Sequence, residues 1–294
     1  MNWTCANVSG DWSRTLSVVV VTADDFGLSK EVNEAVEEAH RKGVLTAASL
    51  MVAGPAARHA LTIVGRLPAL RLGMHLVLAE GLPALPADQI PSLVTREGRL
   101  RCGMAALAFD LTLRPSVRHQ IRTEMSAQFM AFGKTGRPLD HVNAHKHFHL
   151  HPLVALDLFQ IGARFGMKAI RCPLEPRVTL ARAEDMASLP APSLVAPWAR
   201  LVRAAARRRG IRTADAVFGL RWSGQMGARR LRGLFRNLPE GLVEIYTHPA
   251  VSNDFAGHAV GYRYTDELAS LVDPEVMAAA RSSGHRLAGY ADAV

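Results

Sequence analysis

At 294 residues and 49% hydrophobic content, the chain can bury a full core, as one α/β barrel or as two smaller domains. A formal charge of +9 invites a nucleic-acid reading, but the basic residues are mostly dispersed arginines. Only 6% of residues are aromatic, and they do not interleave with the one dense run at Arg203, Arg207, Arg208 and Arg209, so no stacking platform is evident and no nucleic-acid partner is expected.

In chain order, residues 1–16 lack a basic segment followed by an apolar one and read as a flexible leader rather than a signal peptide. Residues 16–23 (LSVVVVTA) are continuously apolar and β-branched, as a strand buried on both faces should be. Ser29 is a plausible N-cap for a helix over 30–42 that ends at Gly43. A strand over 44–52, a helix over 56–65 and a strand over 70–78 follow. Residues 79–103, rich in Pro and Gly, read as a long loop of the kind that shapes a substrate site. Helices over 116–132 and 153–165 precede strands at 139–145 and 167–173. Residues 174–196 are irregular, and a basic helix over 198–209 comes next. Strands at 215–220 and 241–248 flank a helix over 228–237. Helices at 265–271 and 274–282 lead to a last strand in 285–290. Strands alternating with helices imply parallel, right-handed βαβ units. The expected architecture is one distorted (β/α) TIM-like barrel over 17–294, with an open doubly wound sheet as the alternative.

Cys5, Cys102 and Cys172 form no CxxC pair and suggest a reducing, cytoplasmic setting. No stretch reaches the roughly 18 apolar residues that span a bilayer.

Polar groups collect at the C-terminal ends of the expected strands, where barrel enzymes place their reacting groups. Asp24 and Asp25 follow the first strand, His75 lies in the third, His145 closes the fourth, and His248 closes IYTH. Each alone has a plain structural explanation. An aspartate there can cap the next helix, and His75 can be a satisfied core histidine. HVNAHKHFHLHP is harder to explain that way, with His141, His145, His147, His149 and His151 at alternating positions apart from one gap. If strand geometry persists, side chains two apart share a face, and neutral imidazoles are natural ligands for a borderline metal. Not all five can be ligands, and spacing does not choose among them.

Together, ADDFGLS, GMHLVL, HVNAHKHFHLHP and YTHPA resemble the YdjC/ChbG-like carbohydrate deacetylases over nearly the whole chain, from about Val18 to Tyr290. VLTAASLMVAGPAA and the lysine of HVNAHKHFHLHP look most like the hopanoid-biosynthesis-associated (HpnK-like) branch. The resemblance implies a distorted barrel, one divalent metal and hydrolysis of N-acetyl groups on amino sugars. It implies metal ligation by Asp25, His75 and His145, with Asp24 as general base and His248 as proton donor to the leaving amine. Arg171 falls where the family tends to place a substrate-side arginine. Thr22 stands where the family commonly has asparagine, and Asn143 where an aspartate often precedes the ligand histidine. Both departures bear on metal preference and ligand orientation rather than on the reaction.

Two imidazoles and a carboxylate favour Zn²⁺ by ligand type, while family precedent includes Mg²⁺. The branch implies a lipid-linked amino sugar, N-acetylglucosamine on a hopanoid polyol. The basic segment near Arg207 is then a candidate for peripheral contact at the inner membrane surface, with an ordinary solvated helix face as the alternative. A homodimer is expected from the family. The competing functions are deacetylation of soluble chitooligosaccharides, a non-catalytic carbohydrate-binding barrel, and a metal-dependent phosphoesterase. The complete residue set argues against the second, and the lack of a Gly-rich phosphate cradle against the third.

Overall fold

The structure is a computed structural model that describes residues 17–293; the expected leader, with Cys5, lies outside them. Seven strands are present among the described residues: β1 (Val18–Phe26), β2 (Ala47–Leu50), β3 (Arg71–Leu76), β4 (Val142–Ala144), β5 (Ala216–Phe218), β6 (Leu242–Thr247) and β7 (Arg286–Leu287). All pair in parallel, in the order β4-β3-β2-β1-β6-β5. The short β7 joins the start of β1, at Val18 and Val19, before β2 takes over that edge at Thr22.

The strand expected over 167–173 is reduced to single bridges, Val142 with Ile170 and Ala169 with Arg212. Pro173 has no N–H to extend that ladder. Those few bonds still close the sheet. Val142 N–H donates to Ala169 O at 3.0 Å, Ile170 N–H to Arg212 O at 2.9 Å, and Val217 N–H to Leu174 O at 2.9 Å. The sheet therefore curls into the expected distorted barrel, not an open doubly wound sheet.

Ten helices surround it among the described residues: α1 (Lys30–Lys42), α2 (Ala57–Gly65), α3 (Met104–Leu113), α4 (Pro115–Gly133), α5 (Pro152–Arg164), α6 (Arg177–Ala183), α7 (Ala196–Arg207), α8 (Ala228–Arg236), α9 (Tyr264–Leu271) and α10 (Pro274–Ser282). Ser29 caps α1, accepting from Val32 N–H at 3.2 Å, so neither Asp24 nor Asp25 has that role. The sequence reading left α3 unassigned and passed over α6 inside the irregular stretch. The loop before α3 is pinned by α4: Glu124 accepts from the N–H groups of Ala84 at 2.7 Å and Leu85 at 3.1 Å.

Strand alternation sorts the core into two layers. Val19, Val21 and Ala23 pack outward against the helices, while Val18 and Val20 face a smaller inner cluster with Ala47, Leu242, Tyr246 and Tyr290. The inward positions become polar toward the strand ends: Thr22 and Asp24, Ser49, His75, His141 and Asn143, Arg171, and Glu244 are all buried. Gly73 makes room for one of them, because a Cβ there would lie 2.5 Å from the His141 ring.

Candidate active site

In a regular strand Asp24 and Asp25 would point to opposite faces. In the register of β1 on β2, Ala23 pairs with Ala48 but Phe26 with Leu50, so β1 carries one extra residue. This bulge holds Asp25 at φ 59°, which re-aims its carboxylate to the same cavity as Asp24. Such a conformation in a non-glycine residue costs about 1–3 kcal/mol.

Asp25, His75 and His145 meet there, each offering a ligand atom within 4.8 Å of the others. Asp25 Oδ1 lies 3.2 Å from His75 Nε2 and 3.0 Å from His145 Nδ1, and the two ring nitrogens are 3.3 Å apart. His75 Nδ1 is 2.7 Å from Asn143 Oδ1, so Nδ1–H donates there and Nε2 is left to face the cluster. Burial opposes charge on His75, but Asp24 and Asp25 outweigh it and raise its pKa. The cluster is thus organised around positive charge, and its donor set fits a divalent cation.

The alternating reading of the histidine tract is corrected by the structure. Strand β4 ends at Ala144, and residues His145–Leu150 form a tight turn in which Lys146 and His147 have φ of 53° and 55°. The histidines therefore diverge. His141 is held between Asp140 at 2.8 Å and Ser49 at 3.0 Å. His147 Nε2 lies 3.0 Å from the Tyr246 hydroxyl, and His149 Nε2 donates to Arg171 O at 2.8 Å. Burial holds His147 well below the usual histidine range and pushes His149 down to about 4, so both stay neutral near pH 7.

Arg171, expected on the substrate side, lies behind Asp24. It is completely buried and is absent from the residues that line the cavity. Its guanidinium donates to Asp24 at 2.5 and 2.9 Å and to Glu244 at 2.8 and 3.0 Å. Glu244 accepts in addition from Thr22 Oγ1 at 2.8 Å and from the Tyr290 hydroxyl at 2.6 Å. Burial disfavours the Asp24 carboxylate, yet the charges of Arg171, His75 and His248 prevail and hold it well below the usual range. Asp24 is therefore ionised.

His248 lines the same cavity, 5.1 Å from the Tyr262 ring centroid to centroid. Its backbone N–H donates to Glu267, while its buried Nδ1 has no hydrogen-bond partner. The cavity encloses about 510 Å³. Of the five non-glycine residues with positive φ among the described residues, Asp25, Glu80, Lys146 and His147 line it, and Glu80 pairs with Lys146 at its mouth. Strain concentrated in one cavity marks a functional site. Sequence reasoning missed Glu244, Glu80 and Tyr246 and gave Lys146 no place in the site; the inward alternation of β6 (Leu242, Glu244, Tyr246), continued by His248, was the available signal for two of them.

Residues 18–282 match the model of a family described as YdjC-like protein. A carbohydrate deacetylase of Geobacillus stearothermophilus is 31% identical over 275 residues, which cover 92% of this chain and 96% of that protein. Shorter stretches match a carbohydrate deacetylase of Brevibacillus brevis (strain 47 / JCM 6285 / NBRC 100599), 40% identical over 46% of this chain and 52% of that one. A chitooligosaccharide deacetylase of Salmonella newport is 37% identical over 58% of this chain and 64% of that one. The crystal structure of a candidate cellobiose-phosphate cleavage protein from Enterococcus faecalis V583 shares the fold, with a TM-score of 0.70, 21% identity and coverage of 94% of this chain and 98% of that one. The family match runs from the first strand to the last helix and takes in every residue of the cavity; the chain belongs to the YdjC-like family.

Proposed function

We propose that this protein is a metal-dependent carbohydrate N-deacetylase that hydrolyses the acetamide of an amino sugar. The observation that carries the reading is the convergence of Asp25, His75 and His145 with Asp24 and His248 on one cavity. The names of the relatives agree with it.

Asp25, His75 and His145 would hold the ion, and the two imidazoles with one carboxylate favour Zn²⁺. When bound, a divalent ion supplies Lewis acidity to the acyl oxygen and to water. Asp24, ionised and fixed by Arg171 and Asn143, accepts the proton of the attacking water. His248, at the end of the neighbouring strand β6, delivers a proton to the departing amine. The aromatic walls, Tyr246 and Tyr262 among them, give a sugar ring apolar faces to lie on.

The finer reading is N-acetylglucosamine carried on a hopanoid polyol, supported by the branch-like motifs VLTAASLMVAGPAA and HVNAHKHFHLHP. The second reading is a soluble chitooligosaccharide, supported by the Salmonella relative. Incubating the metal-loaded protein with N-acetylglucosaminyl bacteriohopanepolyol and with chitobiose, and following loss of acetyl by mass, tests both. Acetate release from neither, by protein of verified metal content, would reject the deacetylase reading.

A further inference from the structure

Helix α7 is a ridge with two unlike flanks. On one side an apolar groove of about 250 Å³ runs between α5 and α7, walled by Leu156, Phe159, Trp198 and Leu201. On the other lies a cleft of about 490 Å³ that gathers Arg177, Arg200, Arg203 and Arg221. The crest between them is exposed: Leu201 is 67% and Trp198 48% accessible, with Leu194 just before the helix at 91%. No acidic residue occurs in α7. Arg200 and Arg208, both exposed, form no ion pair among the described residues. The two carboxylates of the cleft are already engaged. Glu175 accepts from the N–H groups of Gly219, Leu220 and Arg221, and Asp215 pairs with Arg207 at 2.7 Å.

The cleft reaches the reaction cavity, and the groove begins close to it in the chain. Leu220 is common to the cleft and the cavity, and the groove includes Leu150, at the end of the turn that carries cavity residue His147, and Pro152, the first residue of α5. From this juxtaposition we infer that α7 and its flanks form a docking surface for an anionic phospholipid bilayer, which brings the cavity mouth to the membrane–water boundary. Apolar side chains beside unpaired arginines match the two chemistries of such a surface, hydrocarbon and phosphate. Trp198 is a residue type that favours the headgroup level. The contact is peripheral, since no helix among the described residues is long and apolar enough to cross a membrane. The structure also changes which arginines matter. Arg203 donates to Asp215 O, Arg207 is tied to Thr213 and Asp215, and Arg209 lies over the Phe159 ring, so within the basic segment Arg200 and Arg208 are the arginines free to meet lipid phosphates.

The inference is independent of the deacetylase reading, because binding is measured without substrate. The full chain is sedimented with phosphatidylcholine vesicles, and with vesicles in which phosphatidylglycerol replaces about a third of that lipid, enough for a strongly negative surface. Wild type is expected to pellet with the anionic vesicles only. Arg200→Gln/Arg208→Gln should lower the partition coefficient roughly thirtyfold, at about 1 kcal/mol per arginine. Trp198→Ala/Leu201→Ala should lower it roughly tenfold or more by removing buried apolar area. Circular dichroism of both variants checks that the fold is kept. Pelleting that ignores lipid charge, no pelleting with either vesicle, or full binding by either folded double variant overturns the inference. So does loss of wild-type binding to inorganic phosphate at matched ionic strength, which would identify a free-phosphate site.

Discussion

Asn143 Oδ1 sits 2.7 Å from His75 Nδ1, and the amide nitrogen of the same residue lies 2.9 Å from Asp24 Oδ1. One neutral side chain thus orients the proposed metal ligand His75 with its acceptor and the proposed base Asp24 with its donor. It also donates to Ser49 at 2.9 Å, which locks the amide in this orientation. A carboxylate could serve His75 but not Asp24, since it would put two like charges in contact.

That bridge makes a two-sided prediction. Asn143→Ala should weaken metal affinity about 10–100-fold, as removal of a ligand's outer partner typically does. Asn143→Asp should retain more affinity yet lose turnover, because Asp24 loses a donor and gains a repelling neighbour. Chelator competition and kcat measured on the same samples separate the effects. Equal losses in both quantities for the two variants would contradict this account.

The division of roles around the cavity is open to test by metal content. Asp24→Asn and His248→Ala should lower kcat about 10²–10⁴-fold each, the usual contribution of a positioned base or acid. Both should bind metal as wild type does. Asp25→Ala, His75→Ala and His145→Ala should instead lose the ion. A metal-free Asp24→Asn protein would mean that Asp24 is a ligand.

Arg171 lies between two buried carboxylates, so its removal should be felt in stability as well as catalysis. Arg171→Met is expected to cost about 3–5 kcal/mol, the penalty of leaving a buried partner charge uncompensated. Adding Glu244→Gln removes one of those charges, so the double variant should be more stable than the sum of the singles, by about 1 kcal/mol or more. Urea midpoints of the four proteins provide the cycle, and simple additivity would show that the two residues are not coupled.

His149 should contribute to the acid sensitivity of the fold. Burial keeps it neutral in the folded state down to about 4, whereas the unfolded chain protonates near 6.5. Between those values the unfolded state binds one more proton, so stability falls as pH falls, by roughly 3 kcal/mol in all. His149→Gln keeps a donor for Arg171 O without a titrating group and should flatten that limb. Denaturation midpoints from pH 7 to pH 4 check it; parallel curves would assign the acid limb to other groups.

The order of elements was legible because burial writes its period into the chain. The apolar run of β1 and the capped, Gly-terminated α1 were placed within a few residues of where they lie. Closure of the barrel was less legible. The segment around Ile170 contributes single bridges rather than a ladder, and its neighbours in space, Val142 and Arg212, are distant in sequence. The histidine tract misled for a local reason. Two consecutive left-handed residues, Lys146 and His147, follow the end of the strand; lysine does not announce that conformation, and histidine, though enriched in it, adopts it in only a minority of cases.

By itself, the sequence determined which chemical groups are available and that they stand at strand ends: an acidic pair, His75, a histidine cluster and His248, in motifs shared with one family. Only the tertiary structure decided how they divide. A one-residue bulge turns Asp25 to the side that alternation would deny it. Asn143, from β4, and Arg171, from the bridged segment beside it, come to fix His75 and Asp24, and Glu244 shares the Arg171 guanidinium with Asp24. The reason is physical. Backbone pattern and burial are set by neighbours along the chain, but hydrogen-bond partners and charge compensation are set by groups that only closure of the sheet brings within 3 Å of one another.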